Sequence, residues 1–409
     1  MPNRHTVLLP MVKPPSPRLA VFLIVLLDVM GFGLIIPSQP FLAKNFGASA
    51  ATVTLLGAVY SLMQFMVAPV WGNLSDRLGR RPVLLSTIAM TLTGHAMFAA
   101  STSLGMLFFA RALAGTGAGN IATAQAVLAD TNEASERSRA MALIGAAFGV
   151  GFIFGPALGG ILFHFDHRAP AAFGAILALV NFIFVALCLP ETHTQKNTSH
   201  AHLRPRLRDL AELGPQLRYL VTTTLLFITA FALMEQSVGL FIAQHWVNPE
   251  SAQPLEEATS LNSLFLVVVG IAATVVQGFF VRKWLRTHSE VSMFRTGLIV
   301  ITCSLIAIPV LGTVGSFSLF LISGVTLALG SGMFNPSMAG LVSLASPESK
   351  QGFGLAINQS AAALGRIIGP TSAGVLFSLH PNAPFLVGAG LAMVALLLSG
   401  RVANPRRPA

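Results

Sequence analysis

Charge is scarce in this chain. Only 10% of its 409 residues are Asp, Glu, Lys or Arg, while 54% are hydrophobic, and mean hydropathy is +0.72. A soluble protein carries about one quarter charged residues. The 25 basic and 15 acidic side chains here cannot clothe a water-soluble surface of this size. Disorder is excluded by the same balance, because disordered chains are poor in apolar residues. Cysteine is scarcer still. Cys188 and Cys303 lie in or beside apolar runs with no metal or redox spacing, so a disulfide scaffold is not indicated. No small-residue cleavage site closes the first apolar run, which therefore reads as a membrane span and not as a removed signal. There is no phosphate-binding loop, no nucleophile–base pair and no metal-ligand cluster at either face. ATP hydrolysis, enzymatic chemistry, a metal site and a cofactor are not expected. The net charge of +10 suggests a nucleic-acid partner only if its location is ignored. What is abundant is long apolar sequence, and a polytopic membrane protein in contact with lipid follows.

A helix needs about 20 apolar residues to cross the hydrocarbon. By that rule the spans fall at roughly 19–37, 52–72, 83–101, 104–129, 139–163 and 170–189, then 217–243, 259–281, 294–312, 317–342, 352–378 and 383–400. With the N-terminus in the cytoplasm, every Lys and Arg except Lys44, Arg111, Arg168 and Arg366 falls in a cytoplasmic segment. That bias places both termini inside. The division is a cytoplasmic segment 1–18, a six-helix bundle 19–189, a cytoplasmic linker 190–216, a second six-helix bundle 217–400 and a cytoplasmic tail 401–409. An internal repeat supports it. Residues 134–163 align without gaps on 348–377, so that Gly155-Pro156 matches Gly369-Pro370 and Phe163 matches Phe377. The expected fold class is an all-α polytopic membrane protein, twelve transmembrane helices in two pseudo-symmetric six-helix bundles. Duplicated halves of this kind place a transport site between them near the midplane.

A charge at the bilayer centre costs a few kcal/mol on insertion scales. Asp28 in LLDVMGFGLIIP, Glu235 in FALMEQSVGLF, Arg111 in FFARALAGTGAGN and Arg366 in ALGRIIGP all accept that cost. Asp28 and Glu235 stand in the first span of each half. Burial raises a carboxyl pKa and a nearby Arg lowers it again, so such a group can take and release a proton as access alternates. Asp28, Glu235 and Arg111 are the candidate proton-coupling residues. Gln64, Asn120, Gln125, Asn335, Asn358, Gln359 and Arg366 are candidates to line a substrate cavity. His95 and His245 read as satisfied structural histidines.

Gly115, Gly117 and Gly119 lack the preceding strand of a dinucleotide loop, and small residues at this spacing instead let helices approach. The fifth span carries Gly155, Pro156 and Gly159 in a nearly side-chain-free face suited to rocking. In the loop GNLSDRLGRRP, Gly72 and Gly79 permit a sharp turn and Asp76 can accept bonds from a helix N-terminus. Arg77, Arg80 and Arg81 are available for pairing, with Asp130 or Glu136 as partners for Arg80 or Arg81. These residues are expected to gate the cytoplasmic side.

GNLSDRLGRRP resembles the signature loop of the major facilitator superfamily. RALAGTGAG at 111–119 resembles the motif of that family's fourth helix, and GVGFIFGPALGG at 149–160 the fifth-helix motif of its drug:proton antiporters. LLDVMGFGLIIPSQP at 26–40 is similar to the first helix of the twelve-span branch that includes tetracycline and multidrug exporters. The resemblance implies alternating access by two rocking bundles, with export driven by inward proton flow. It further implies that Asp76 steadies the outward-open state and that Arg111 affects the protonation of a nearby carboxylate. Two departures stand out. The corresponding loop of the second half, GFFVRKWLR, lacks the Asp and the second Gly. Tetracycline exporters carry acids in spans three and nine and a histidine in span eight, whereas here span three offers His95 and spans eight and nine contain no Asp, Glu or His.

The expected function is proton-coupled efflux of amphipathic or cationic organic compounds across the bacterial inner membrane, as in multidrug efflux and antibiotic resistance. The alternative is a dedicated exporter of a cellular metabolite such as a siderophore, sugar or peptide-like compound. The proton is the coupling ion, the partners are a small organic substrate and lipid, and the working unit is a monomer.

Overall fold

Serine and proline set most of the helix starts. Ser16, Ser49, Ser103, Ser289 and Ser316 each accept a bond from the backbone N–H three residues on. Six helices have proline at their first or second position. Serine satisfies an N–H that the helix leaves orphaned, and proline has none to lose. The computed structural model describes residues 16–132, 134–192, 214–248, 250–251, 253–280, 284, 288–346 and 351–402. Among them the chain forms fourteen α-helices and one π-helical turn.

The first eight helices are α1 (Pro17–Ile35), α2 (Gln39–Asn45), α3 (Ala50–Leu78), α4 (Arg80–Ala99), α5 (Leu104–Gly117), α6 (Asn120–Thr131), α7 (Ala134–Phe163) and α8 (Ala169–Cys188). After residue 213 come α9 (Pro215–Trp246), α10 (Pro254–Val275), the π turn Val276–Phe280, α11 (Glu290–Thr313), α12 (Phe317–Ala345), α13 (Gln351–Leu379) and α14 (Ala383–Ser399). Ten helices are long and apolar enough to cross a membrane, and α5 and α14 are shorter apolar helices. Large apolar side chains such as Phe109, Leu187, Val310, Leu379 and Leu397 are exposed along these helices, which only a lipid surround tolerates in such number. The protein is an all-α, multi-pass membrane protein.

The cores separate along the chain. One buried cluster, from Leu217 through Phe227, Phe294 and Phe334 to Val402, is drawn from α9 onward. A second, including Ile24, Leu84, Val127 and Val185, is drawn from helices before residue 190. A third, around Ile35, Phe98 and Leu107, takes in Leu240 from α9. The internal repeat has a spatial counterpart. Helix α7 packs on α1 and crosses to α10, while its counterpart α13 packs on α9 and crosses to α3.

Three expectations are corrected. The fourth span, 104–129, is two helices broken at Ala118 and Gly119. The eighth begins at Pro254, five residues early, and ends in the π turn, while the ninth helix begins at Glu290. Glu256, Glu257 and Glu290 thus occupy first helical turns, where acids oppose the positive end of the helix dipole. Between the first two spans the chain also forms the short helix α2. Arg4, Lys13, Lys196, Arg204, Arg206, Arg208, Arg282, Lys283, Arg286, Lys350, Arg406 and Arg407 lie outside the described residues, as do the side chains of Glu136, Arg137 and Arg139.

Candidate functional site: a charged centre between two sets of helices

The break in the fourth span builds the site. Where α5 stops, the carbonyls of Thr116 and Ala118 lose their helical donors, and no water is available in hydrocarbon to replace them. Trp71 Nε1 donates to the Thr116 carbonyl at 2.8 Å and Gln64 Nε2 to the Ala118 carbonyl at 3.1 Å, both reaching across from α3. The restart of α6 puts Asn120 at a helix N-terminus, where its side chain stands beside Asp28 of α1.

One helical turn separates Arg111 from Gly115, so both face α3. Gly115 has no side chain, and the Tyr60 backbone sits where a Cβ would stand. That close approach brings the Tyr60 ring to 4.3 Å from the Arg111 guanidinium carbon, with the Phe32 ring at 5.6 Å. The two rings lie 5.0 Å apart. Arg111 is 3% exposed, and its Nε and Nη1 have no hydrogen-bond partner among the described residues.

The second set of helices supplies Glu235 from α9 and Arg366 from α13. Glu235 is electrostatically coupled to both Arg366 and Arg111, and Tyr60 is coupled to Asp28, Arg111 and Arg366. No charged pair in this group closes to ion-pair distance among the described residues. Asp28 and Glu235 are half-buried and Arg366 is exposed. A small cavity of about 20 Å³, room for one water, is bordered by Phe32, Gln39, Arg111, Glu235, Gln236 and Asn262. The centre therefore links Glu235 to both guanidinium groups directly and Asp28 to them through Tyr60.

The helices meet closely at one end of this centre. A Cβ on Gly374 would overlap Ala51 and Thr54, and one on Gly160 would meet Ser263. Asn262 donates to the Pro37 carbonyl at 3.3 Å. His164 meets Glu256 at 3.2 Å and Ser260 at 2.7 Å. At the other end Gly72 and Gly340 have nothing within 4 Å of a Cβ position, and Gln125, Asn335 and Gln359 are exposed. The molecule is closed at the end carrying Pro37 and Gly374, and polar side chains toward the end where Gly79 turns α3 into α4 stand exposed.

The expected loop at 72–82 is a single corner: α3 runs through Gly72 to Leu78 and α4 starts at Arg80, so Gly79 alone turns the chain and Gly72 does not. The pairing also differs in detail from the one expected. Arg80 donates to Asp130 at 2.9 Å, to Asp76 at 2.5 Å and to Ser75 at 2.8 Å. The N-terminus of α4, however, is capped by Glu191: its carboxylate accepts from the Arg80 N–H at 2.9 Å and the Arg81 N–H at 3.2 Å. Glu191, and not Asp76, is the acceptor at this helix start. The Arg81 side chain instead reaches the Ala186 carbonyl. Arg77 is exposed. Gly79, at φ +105°, makes the corner between α3 and α4, in backbone space that side chains avoid.

Of the polar residues predicted to face a cavity, Gln125, Asn335, Gln359 and Arg366 are exposed. Gln64 serves the helix break, Asn120 stands beside Asp28, and Asn358 accepts from Thr224 at 2.6 Å. Gly155 rests against Gly33, a Cβ there falling 2.8 Å from the Gly33 Cα, and Gly159 and Pro156 also border α1. His95 is 2% exposed, wedged against Gly31 and Gly174. Tyr60 and Glu191 are the residues that sequence reasoning missed. Among the described residues no three of His, Cys, Asp and Glu are grouped to hold a metal.

The model of the Major Facilitator Superfamily matches residues 21–315 and again 256–409. The chain belongs to the Major Facilitator Superfamily. It is 25% identical over 375 residues to the quinolone resistance protein NorA of Staphylococcus aureus, covering 91% of this chain and 93% of that one. It is 40% identical over 179 residues to the class B tetracycline resistance protein of Escherichia coli, covering 43% of this chain and 45% of that protein. Among solved structures, the human organic anion transporter MFSD10 aligns over 95% of this chain and all of its own, with a TM-score of 0.71 and 24% identity. A peptide transporter aligns over 95% of this chain and 94% of its own, with a TM-score of 0.76 and 14% identity. This superfamily member is thus a membrane transporter of small organic molecules, related to multidrug and tetracycline efflux pumps, and not an enzyme.

Proposed function

We propose that this protein is a proton-coupled antiporter of the twelve-span drug-exporter branch, expelling amphipathic or cationic organic compounds across the bacterial inner membrane. The observation that carries the reading is the charged centre. Glu235 interacts with Arg111 and Arg366, and Asp28, from the other set of helices, acts on the same Tyr60 as the two arginines. Carboxylates so placed can exchange a proton for a substrate when access changes side. The fifth span is the first set's counterpart of the eleventh, and the exchanged contacts of α7 with α10 and α13 with α3 support two six-helix bundles, 19–189 and 217–400, that rock about this centre. With both termini cytoplasmic, the end carrying Gly79 faces the cytoplasm and the closed end the outside. In this reading Gln125, Asn335, Gln359 and Arg366 line the path of the substrate, and Asp76, Arg80 and Asp130 govern the inner gate.

The test is transport in proteoliposomes with an imposed pH gradient and an internal pH dye, run with a panel of cationic, neutral and anionic compounds. Wild type should dissipate the gradient with a subset of them. Asp28→Asn should fold and insert normally and give only background flux. Undiminished uphill transport by Asp28→Asn would remove Asp28 from the proton path.

A further inference from the structure

Resting on the reading of this centre as substrate-facing, we propose that it is built to receive an anionic group, so that the transported compounds carry a carboxylate or similar acceptor on an aromatic body. A guanidinium group has five N–H donors and no acceptor, and a buried polar group without a partner is costly. Arg111 nonetheless keeps Nε and Nη1 buried and without a hydrogen-bond partner among the described residues. The faces of Tyr60 and Phe32 engage its positive charge but leave those in-plane donors unused. Arg366, from the second set of helices, is exposed, acts on Glu235 electrostatically and makes no hydrogen bond or ion pair among the described residues. Two arginines with unused donors therefore act on one carboxylate.

Charge counting points the same way. With Asp28 and Glu235 ionised the four groups sum to zero, and each proton taken up leaves the centre one unit positive. A pure cation would meet two guanidinium groups in the protonated state. A compound that also bears a carboxylate can complete the arginines' hydrogen bonds, bidentately where geometry allows. Tyr60, Phe32, Phe152 and Phe148 follow one another in that order with centroid spacings of 5.0 to 6.3 Å, aromatic neighbours for the body of such a compound. Asn262 Oδ1, buried and also without a partner among the described residues, borders the same small cavity and can accept from the compound's donor side.

The discriminating probes are rhodamine 110, which has a free carboxylate, and rhodamine 123, its methyl ester. They share one ring system and one delocalised cation and differ in the anion alone. Equilibrium binding to purified protein in detergent should favour rhodamine 110 by about tenfold or more, the scale of hydrogen bonds to charged groups. Arg366→Gln should erase most of that preference. Arg111→Lys, which keeps the charge but loses the planar fork, should reduce it. Because Arg111 is buried, circular dichroism and gel filtration check that variant, and Arg366→Gln tests the proposal should Arg111→Lys not fold. Equal binding of the two dyes, preference for the ester, binding of neither, or a preference unchanged in Arg366→Gln would overturn it. Proton flux in liposomes is read separately. Discrimination in binding with no proton movement would sink the antiport reading and leave the anionic subsite standing, while proton-coupled export that favours the ester would do the reverse.

Discussion

Asp28, Glu235 and Arg111 were legible in the sequence because a charge in a twenty-residue apolar run has to be explained. Tyr60 was not, because an aromatic residue in a span is unremarkable until a cation lies over it. Its rarity was the available signal, since the chain has only two tyrosines. Glu191 was missed for another reason: it follows the sixth span directly and reads as the start of a polar linker. Its role is to hold the first turn of α4 by two backbone N–H groups, beside the corner that Gly79 makes. Replacing Glu191 with Ala should therefore destabilise the folded protein by about 1 kcal/mol, the worth of a helix cap. Thermal unfolding in detergent reads the loss, and Glu191→Gln, which keeps one acceptor oxygen, should lose less. An unchanged melting curve for Glu191→Ala would mean that water satisfies the helix start equally well.

At the scale of elements, the apolar windows located the long helices to within a few residues but ran through the break at Ala118 and Gly119. Hydropathy registers how apolar a segment is and not whether its backbone is continuous. The run Gly115, Gly117 and Gly119 was read as close packing, and each of these glycines does adjoin Tyr60, Thr91 or Trp71. Three glycines within five residues also weaken a helix, and here α3 takes up the freed carbonyls. Gln64→Leu should leave the Ala118 carbonyl unsatisfied and cost about 1–3 kcal/mol. Trp71→Phe should act likewise on the Thr116 carbonyl. The two carbonyls belong to one break, so the double variant should depart from additivity. Melting temperatures of the four proteins form the cycle, and strict additivity would show that the carbonyls are satisfied independently. Transport should fall as well, because the break is what seats Asn120 beside Asp28.

Across the whole molecule, the close packing at the end carrying Pro37 and Gly374 is the feature that the proposed alternating access has to undo. If the two sets of helices rock about the charged centre, the contact of Ala51 with Gly374 must separate in every cycle. The close approach there sets backbone against backbone, for a Gly374 Cβ position overlaps the Ala51 Cα. The two Cα atoms lie nearer than the roughly 4.4–6.8 Å that a disulfide spans, and any side chain at 374 would hold α3 and α13 apart. Gly374→Leu should therefore weaken the closed end and lower export. With Cys188 and Cys303 replaced by Ser, Thr54→Cys reports on the contact, because Thr54 is buried against Gly374. That cysteine should react faster with a membrane-impermeant maleimide when Gly374→Leu is added. Unchanged labelling together with undiminished export would mean that this contact of α3 with α13 need not form in the transport cycle.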